Sequence, residues 1–229
     1  MTYTPLLPQK SVAIPELFKY LPKRFSKRLM RKGEVKIGTL HGFRRLEGVD
    51  VARGDSMEGL HYSTFDNTGN IATFSEKTYP SILNEMMHFD FSKGGALTIQ
   101  GGKFRSHQWV RNCFIFSVSE LRATFLAKAF DTDRCLELLD PEVFAKTVCD
   151  HLDARLAEGI EQFGLWRVDY GPLERLHNTE KRWPASYKDD KFSYQKEWRF
   201  IWIPRAQIDI QPVVLRDRLF PSIFCPRSL

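Results

Sequence analysis

The sequence predicts an α+β fold: a single mixed domain with a mainly antiparallel sheet, open to a split, and roughly three or four helices. Three observations lead there. About eight short segments read as strands, by alternation or as near-continuous apolar runs. They gather mostly in the second half of the chain rather than alternating regularly with helices, as a doubly wound sheet requires. One long stretch, after Asp140, repeats its apolar residues with the period of a helix.

The elements follow in order. Residues 1–14 hold Pro5 and Pro8 and read as an irregular arm, with the domain spanning 15–229. Leu17–Tyr20 reads as a strand that stops before Pro22. Phe25–Lys32 reads as a helix with an apolar stripe of Phe25, Leu29 and Met30, and Gly33 stands where a left-handed cap belongs. Val35–Leu40 alternates as a strand. The stretch from His41 to Leu60 is rich in Gly, Arg and Asp and reads as a long loop, of the kind that often carries function. Leu60–Phe65 and Ile71–Ser75 read as two arms of a hairpin around Asp66-Asn67-Thr68-Gly69.

Ala96–Gln100 and Cys113–Val118 read as further strands. The second is almost wholly apolar and belongs at the centre of a sheet. Asp140-Pro141 is a strong helix start, a capping carboxylate followed by Pro at the first helical position. Phe144, Val148, Leu152, Leu156 and Ile160 then extend the helix toward Gly164, leaving His151 off the stripe. Leu165–Tyr170, Tyr194–Ile203 and Ile208–Leu215 read as strands, with a polar loop over 171–192.

Composition bounds the function. The chain has 229 residues, 42% hydrophobic and 27% charged, enough for a sizeable core. No apolar run approaches the roughly 20 residues that cross a bilayer, and the first ten residues lack a signal-peptide pattern, so a cytoplasmic location and no membrane partner are expected. Cys113, Cys135, Cys149 and Cys225 are widely spaced and read as buried free thiols. His41, His61, His107 and His177 have no metal-ligand spacing, so no metal is expected. Gly94-Gly95 and Gly101-Gly102 read as turns.

The net charge of +6 is uneven. Lys19, Lys23, Arg24, Lys27, Arg28, Arg31, Lys32 and Lys36 crowd one N-terminal stretch, and Arg44 and Arg45 follow. A solvated helix face and a surface for nucleic acid both fit that pattern. Trp183, Tyr187, Phe192, Tyr194 and Trp198 lie among Lys181, Arg182, Lys188 and Lys191. They read either as core packing or as a stacking platform for nucleic acid.

The most informative segment is the late strand. Alternation sets Trp198, Phe200 and Trp202 on a core face and Gln195, Glu197 and Arg199 on the other. Such a polar row is either a Glu197–Arg ion pair on a half-exposed strand or the wall of a cleft. In a cleft, a rigidly held carboxylate can hydrogen-bond a ribose hydroxyl, or stabilise a sugar cation as a glycosidic bond breaks.

Several short elements, in order, resemble an uncharacterised bacterial family of domains of unknown function. They are Lys19-Tyr20, Asp55-Ser56-Met57-Glu58-Gly59, Cys113-Phe114-Ile115-Phe116-Ser117 and Gln195-Lys196-Glu197-Trp198-Arg199. The loop lacks the family's Asn-Asp-Pro, the Cys-Phe-Ser element carries an insertion, and Gln195 replaces the first Glu of a Glu-x-Glu. Gln-x-Glu on a late strand is also similar to a motif of ADP-ribosyltransferases. That resemblance implies NAD as substrate, Glu197 as the catalytic residue, and Gln195 facing the acceptor, with Arg199 beside it in the substrate site. It further implies NAD contacts from Lys19 or Tyr20 and a middle-strand serine, Ser117 or Ser119, with His61-Tyr62-Ser63-Thr64 competing for that place. The resemblance implies a transferase, of the toxin or phage-defence effector kind. A non-enzymatic nucleic-acid-binding or protein-interaction module is the alternative.

Overall fold

The computed structural model describes residues 13–45, 60–79, 83, 90–92, 94–172, 174–176, 184–206 and 208–229. Residues 1–12 of the arm predicted over 1–14, the Asp55–Gly59 element, His177, Lys181, Arg182 and Trp183 lie outside them. The fold is α+β with mainly antiparallel pairing.

The central sheet is built on β7 (Phe114–Ser119), as its nearly continuous apolar run predicts. One edge of β7 pairs antiparallel along its whole length with β13 (Glu197–Pro204), from Glu197 opposite Ser119 to Trp202 opposite Phe114. β13 in turn pairs with β9 (Ile160–Arg167). The other edge of β7 is shared by two strands. β2 (Glu34–Thr39) pairs only with its start, at Phe114 and Ile115. β1 (Leu17–Leu21) pairs only with its end, at Ser119. Between those points the sheet forks. One wing continues from β2 to β14 (Val213–Arg216), the other from β1 through β8 (Arg134–Leu138) to β15 (Phe224–Arg227).

Helix α1 (Lys23–Lys32) bridges the wings. Gly33 ends it at φ 62°, and a Cβ there would run into the Asp217 carbonyl. The space is closed because the Asp217 N–H donates to the Gly33 carbonyl. Helix α2 (Leu40–Arg44) follows β2 within what the sequence presents as loop. Thr39 caps it by accepting the Gly42 N–H, a local side-chain bond that periodicity does not reveal.

Helices α1, α4 (Pro141–Asp153) and α5 (Phe220–Ile223) cover one face of the sheet; α3 (Thr124–Ala129) packs beside β1. The main core holds Leu29, Phe144, Val148, Phe220, Phe116, Phe200 and Trp202. Trp202 is fully buried and its indole N–H donates to the Ala145 carbonyl, so the largest core residue leaves no polar atom unsatisfied. Asp140 accepts the Val143 N–H and caps α4 as its sequence requires.

Three expectations need correction. Helix α4 stops at Asp153, and Ile160 opens β9 instead of closing the helix. The Asp153 carboxylate accepts the Ile160 N–H, holding the reversal. The apparent hairpin does not pair with itself. β3 (Leu60–Asp66) pairs with β6 (Lys103–Trp109), and β4 (Ile71–Phe74) with β5 (Leu97–Gln100). Asn67 decides the partners: its side chain donates to the Ile99 and Asn70 carbonyls, and its N–H reaches Gly102. Strands also fall throughout the chain. The predicted strand Leu165–Tyr170 is divided between the end of β9 and β10 (Asp169–Gly171), and the predicted loop over 171–192 contains β11 (Glu174–Leu176) and β12 (Tyr187–Asp189); β10 and β12 pair in parallel.

Candidate active site at the sheet fork

The polar face of β13 begins two residues later than alternation suggests, at Glu197 instead of Gln195. Asp190–Gln195 forms a short 3-10 helix, and Lys196 takes a left-handed conformation at φ 43° before Glu197 enters the sheet. Gln195 is therefore off the strand. It still reaches the same place, because Ser119 accepts the Leu121 N–H and donates to the Gln195 carbonyl at 2.7 Å. The face opposite Trp198, Phe200 and Trp202 carries Glu197, Arg199 and Ile201, and Ile201 packs with Leu40, Cys113, Ile115 and Ala185.

Glu197 is not on a half-exposed strand. It is 5% exposed, and both carboxylate oxygens are held. Arg199 Nε donates to Oε1 at 2.8 Å and Lys188 Nζ to Oε2 at 2.7 Å. Lys188 also donates to Gln195 Oε1 at 3.1 Å, so one ammonium ties the amide to the carboxylate. Arg199 Nη1 donates to the Ala185 carbonyl, and the Tyr170 hydroxyl accepts the Glu197 N–H. Burial disfavours the charged carboxylate most strongly. The Arg199 guanidinium and Lys188 ammonium together outweigh it, and hold the Glu197 carboxyl well below its ordinary range. Burial also pushes the Tyr170 phenol far up, reinforced by the Glu197 charge, so Tyr170 stays neutral.

The fork supplies the opposite wall. β1 and β7 meet only at Phe18 and Ser119, and the Ser117 carbonyl lies in the gap beyond. Lys19 Nζ crosses the Phe116 ring at 4.2 Å from its centroid and donates to that carbonyl at 2.5 Å. Tyr20 points to the other side of β1. Its hydroxyl donates to the Leu121 carbonyl and accepts the Ala123 N–H, both at 2.8 Å, which sets the chain after β7 against β1.

A pocket of about 90 Å³ occupies this junction. Lys19, Tyr20, Ser117, Ser119, Gln195, Glu197 and Lys188 line it, with Phe18, Phe43 and Phe130 as aromatic walls. One water needs roughly 10–15 Å³ of such space, so the pocket admits several waters or one ring-sized group, not a whole dinucleotide. Of the residues singled out in the sequence, Lys19, Tyr20, Ser117, Gln195 and Glu197 meet here. Arg199 does not line the pocket. It lies behind Glu197, opposite Ser117 on the neighbouring strand, and orients the carboxylate.

Sequence reasoning assigned Lys188 to a basic aromatic loop and passed over Tyr170. No local pattern marks either, because each acts through contacts made only when β10 and β12 pair beneath β13. Of the aromatics among the basic residues, three belong to the core, Tyr194 is exposed, and Trp183 lies outside the described residues. Tyr187, Phe192 and Trp198 are buried, and Lys188 and Lys191 sit over the Phe192 ring. The competing His61–Thr64 segment belongs to a separate sheet of β11, β3 and β6. Among the described residues no His, Cys, Asp and Glu group could hold a metal ion, and no helix is long and apolar enough to cross a membrane.

Comparison of the chain with family models, curated proteins and solved structures gives no match.

Proposed function

We propose that the chain is an NAD-dependent ADP-ribosyltransferase-like enzyme with its reactive centre in the pocket at the sheet fork. One observation carries this reading: Lys19 and Tyr20, Ser117, and Gln195 and Glu197 come from three distant segments and line one pocket. Lys19, Lys188 and Arg199 against Glu197 leave the junction net positive, which suits a ligand bearing phosphates. The pocket accepts the ring end of NAD, and the remainder lies outside it.

In the proposed reaction the bond between nicotinamide and ribose breaks, and nicotinamide departs with the bonding electrons. The ionised Glu197 faces the sugar cation that develops, and Lys188 and Arg199 keep that carboxylate charged and fixed. An acceptor on the Gln195 side then attacks the sugar carbon and loses its proton to solvent. A toxin or phage-defence effector is the setting such an activity suits, with a nucleic acid or protein as acceptor.

Incubation with labelled NAD and cell extract tests the proposal. Wild type is expected to release nicotinamide and label an acceptor, and Glu197→Gln to lose at least 100-fold in rate while remaining folded. No consumption of NAD by wild type, or equal rates for the two proteins, rejects it.

A further inference from the structure

We infer that the outer face of α1, extended by β2 and β14, is a docking surface for the sugar-phosphate backbone of a nucleic acid. The helix carries no acidic residue in its ten positions. Its six cations fall in two rows of four-residue spacing, Lys23-Lys27-Arg31 and Arg24-Arg28-Lys32, and all six are exposed. A rise of about 1.5 Å per residue spaces each row at roughly 6 Å, giving two parallel tracks of positive charge on one side of the helix. Leu29 and Ser26 face inward and fix which side that is.

The tertiary structure widens the surface with residues far away in sequence. β14 pairs with β2 so that Arg216 lies opposite Glu34, and Val214 opposite Lys36. Glu34 follows the helix and its Gly33 cap directly in sequence, and it is already engaged by Arg28 at 3.9 Å and Arg216 at 2.5 Å. Its side chain is 11% exposed, against 61% for Arg28 and 69% for Arg216. The carboxylate therefore sits beneath the cations and organises them, and the outward surface stays positive. Two further acids lie at the margin: Asp133, 55% exposed, accepts the Lys23 N–H and has Arg134 at 4.0 Å, and Asp217 hydrogen-bonds His151. Arg218 continues the patch, exposed next to Asp217.

Phosphates spaced regularly along a chain are the complement of such tracks. Cations that neutralise them gain from counterion release, with no need for a groove or a base-reading side chain. The surface is therefore expected to bind without sequence preference. None of its residues lines the pocket, so the inference stands independently of the proposed enzyme.

Fluorescence anisotropy with a labelled 20-base-pair duplex of arbitrary sequence, and with one of its single strands, tests it. Full-length protein is expected to bind at least one probe at 50 mM NaCl, with affinity falling steeply as salt rises. Arg24→Gln/Lys27→Gln/Arg31→Gln is expected to weaken binding at least tenfold and to lower the salt slope by about 2 to 3. NAD consumption should stay within twofold of wild type. Glu197→Gln should bind nucleic acid as wild type does, whatever becomes of its chemistry. If the triple variant melts far below wild type, the three single variants decide, each expected to lose two- to fourfold. Absence of binding to both probes at 50 mM NaCl, or full affinity in the variants, overturns the inference.

Discussion

Lys188 Nζ donates to Glu197 Oε2 at 2.7 Å with both side chains more than nine-tenths buried. Taking two charges out of water is costly, and the arrangement holds because Arg199 and Gln195 complete it. This small network is both the back wall of the pocket and a large local stake in stability.

Replacing Lys188 tests the network. Lys188→Met keeps the bulk but strips a donor from Glu197 and Gln195. Loss of one partner of a buried pair costs roughly 3–5 kcal/mol, and the lower end is expected because Arg199 remains. Urea unfolding should show it. In a double-mutant cycle with Glu197→Gln, the two losses should fall short of additivity by at least about 1 kcal/mol.

Acid stability should carry the signature of Glu197. Its folded pKa lies below the unfolded value of roughly 4.3, so the unfolded chain takes up the proton first as pH falls. The stabilisation is complete above that unfolded value and is lost progressively as pH falls toward the depressed folded pKa. Unfolding free energies measured between pH 7 and pH 3 should drop more steeply for wild type than for Glu197→Gln, after allowance for the variant's lower starting stability. Parallel curves would contradict the assignment.

The Tyr20 hydroxyl ties β1 to the chain that leaves β7. Tyr20→Phe removes that link and leaves the Ala123 N–H and Leu121 carbonyl without it. These groups are partly buried, so a cost at the lower end of about 1–3 kcal/mol is expected. Amide exchange should quicken around Leu121–Ala123 before it does in β13.

Gly33 closes α1 with positive φ against the Asp217 backbone. Gly33→Ala meets both a disfavoured conformation and a backbone oxygen that cannot move freely. A loss of about 2 kcal/mol or more is expected in thermal or urea unfolding. Met30→Leu on the same helix, a volume-conserving change at a partly buried position, should cost less than about 1.5 kcal/mol.

How much was legible in the sequence differs from element to element. The Asp140-Pro141 start, the Gly33 cap and the apolar run of β7 are local facts, and each survives in the structure. The division of Trp198, Phe200 and Trp202 from Glu197 and Arg199 also follows from strand geometry alone. Gln195 reaches that polar side without belonging to the strand, because a 3-10 turn and the left-handed Lys196 carry it there.

The sequence by itself determined the α+β class, the central strand and the residue types of the polar face, because propensity, capping and alternation are encoded within a few residues. Only the tertiary structure decided that Glu197 is buried between two cations, that Lys188 joins it, and that Lys19, Tyr20 and Ser117 close on it across a forked sheet. Those relations depend on strand pairings between distant segments, where β1 and β2 share one edge of β7 and β10 meets β12. A carboxylate in sequence carries no mark of its burial. Its surroundings, and so its charge and chemistry, are set when the chain closes around it.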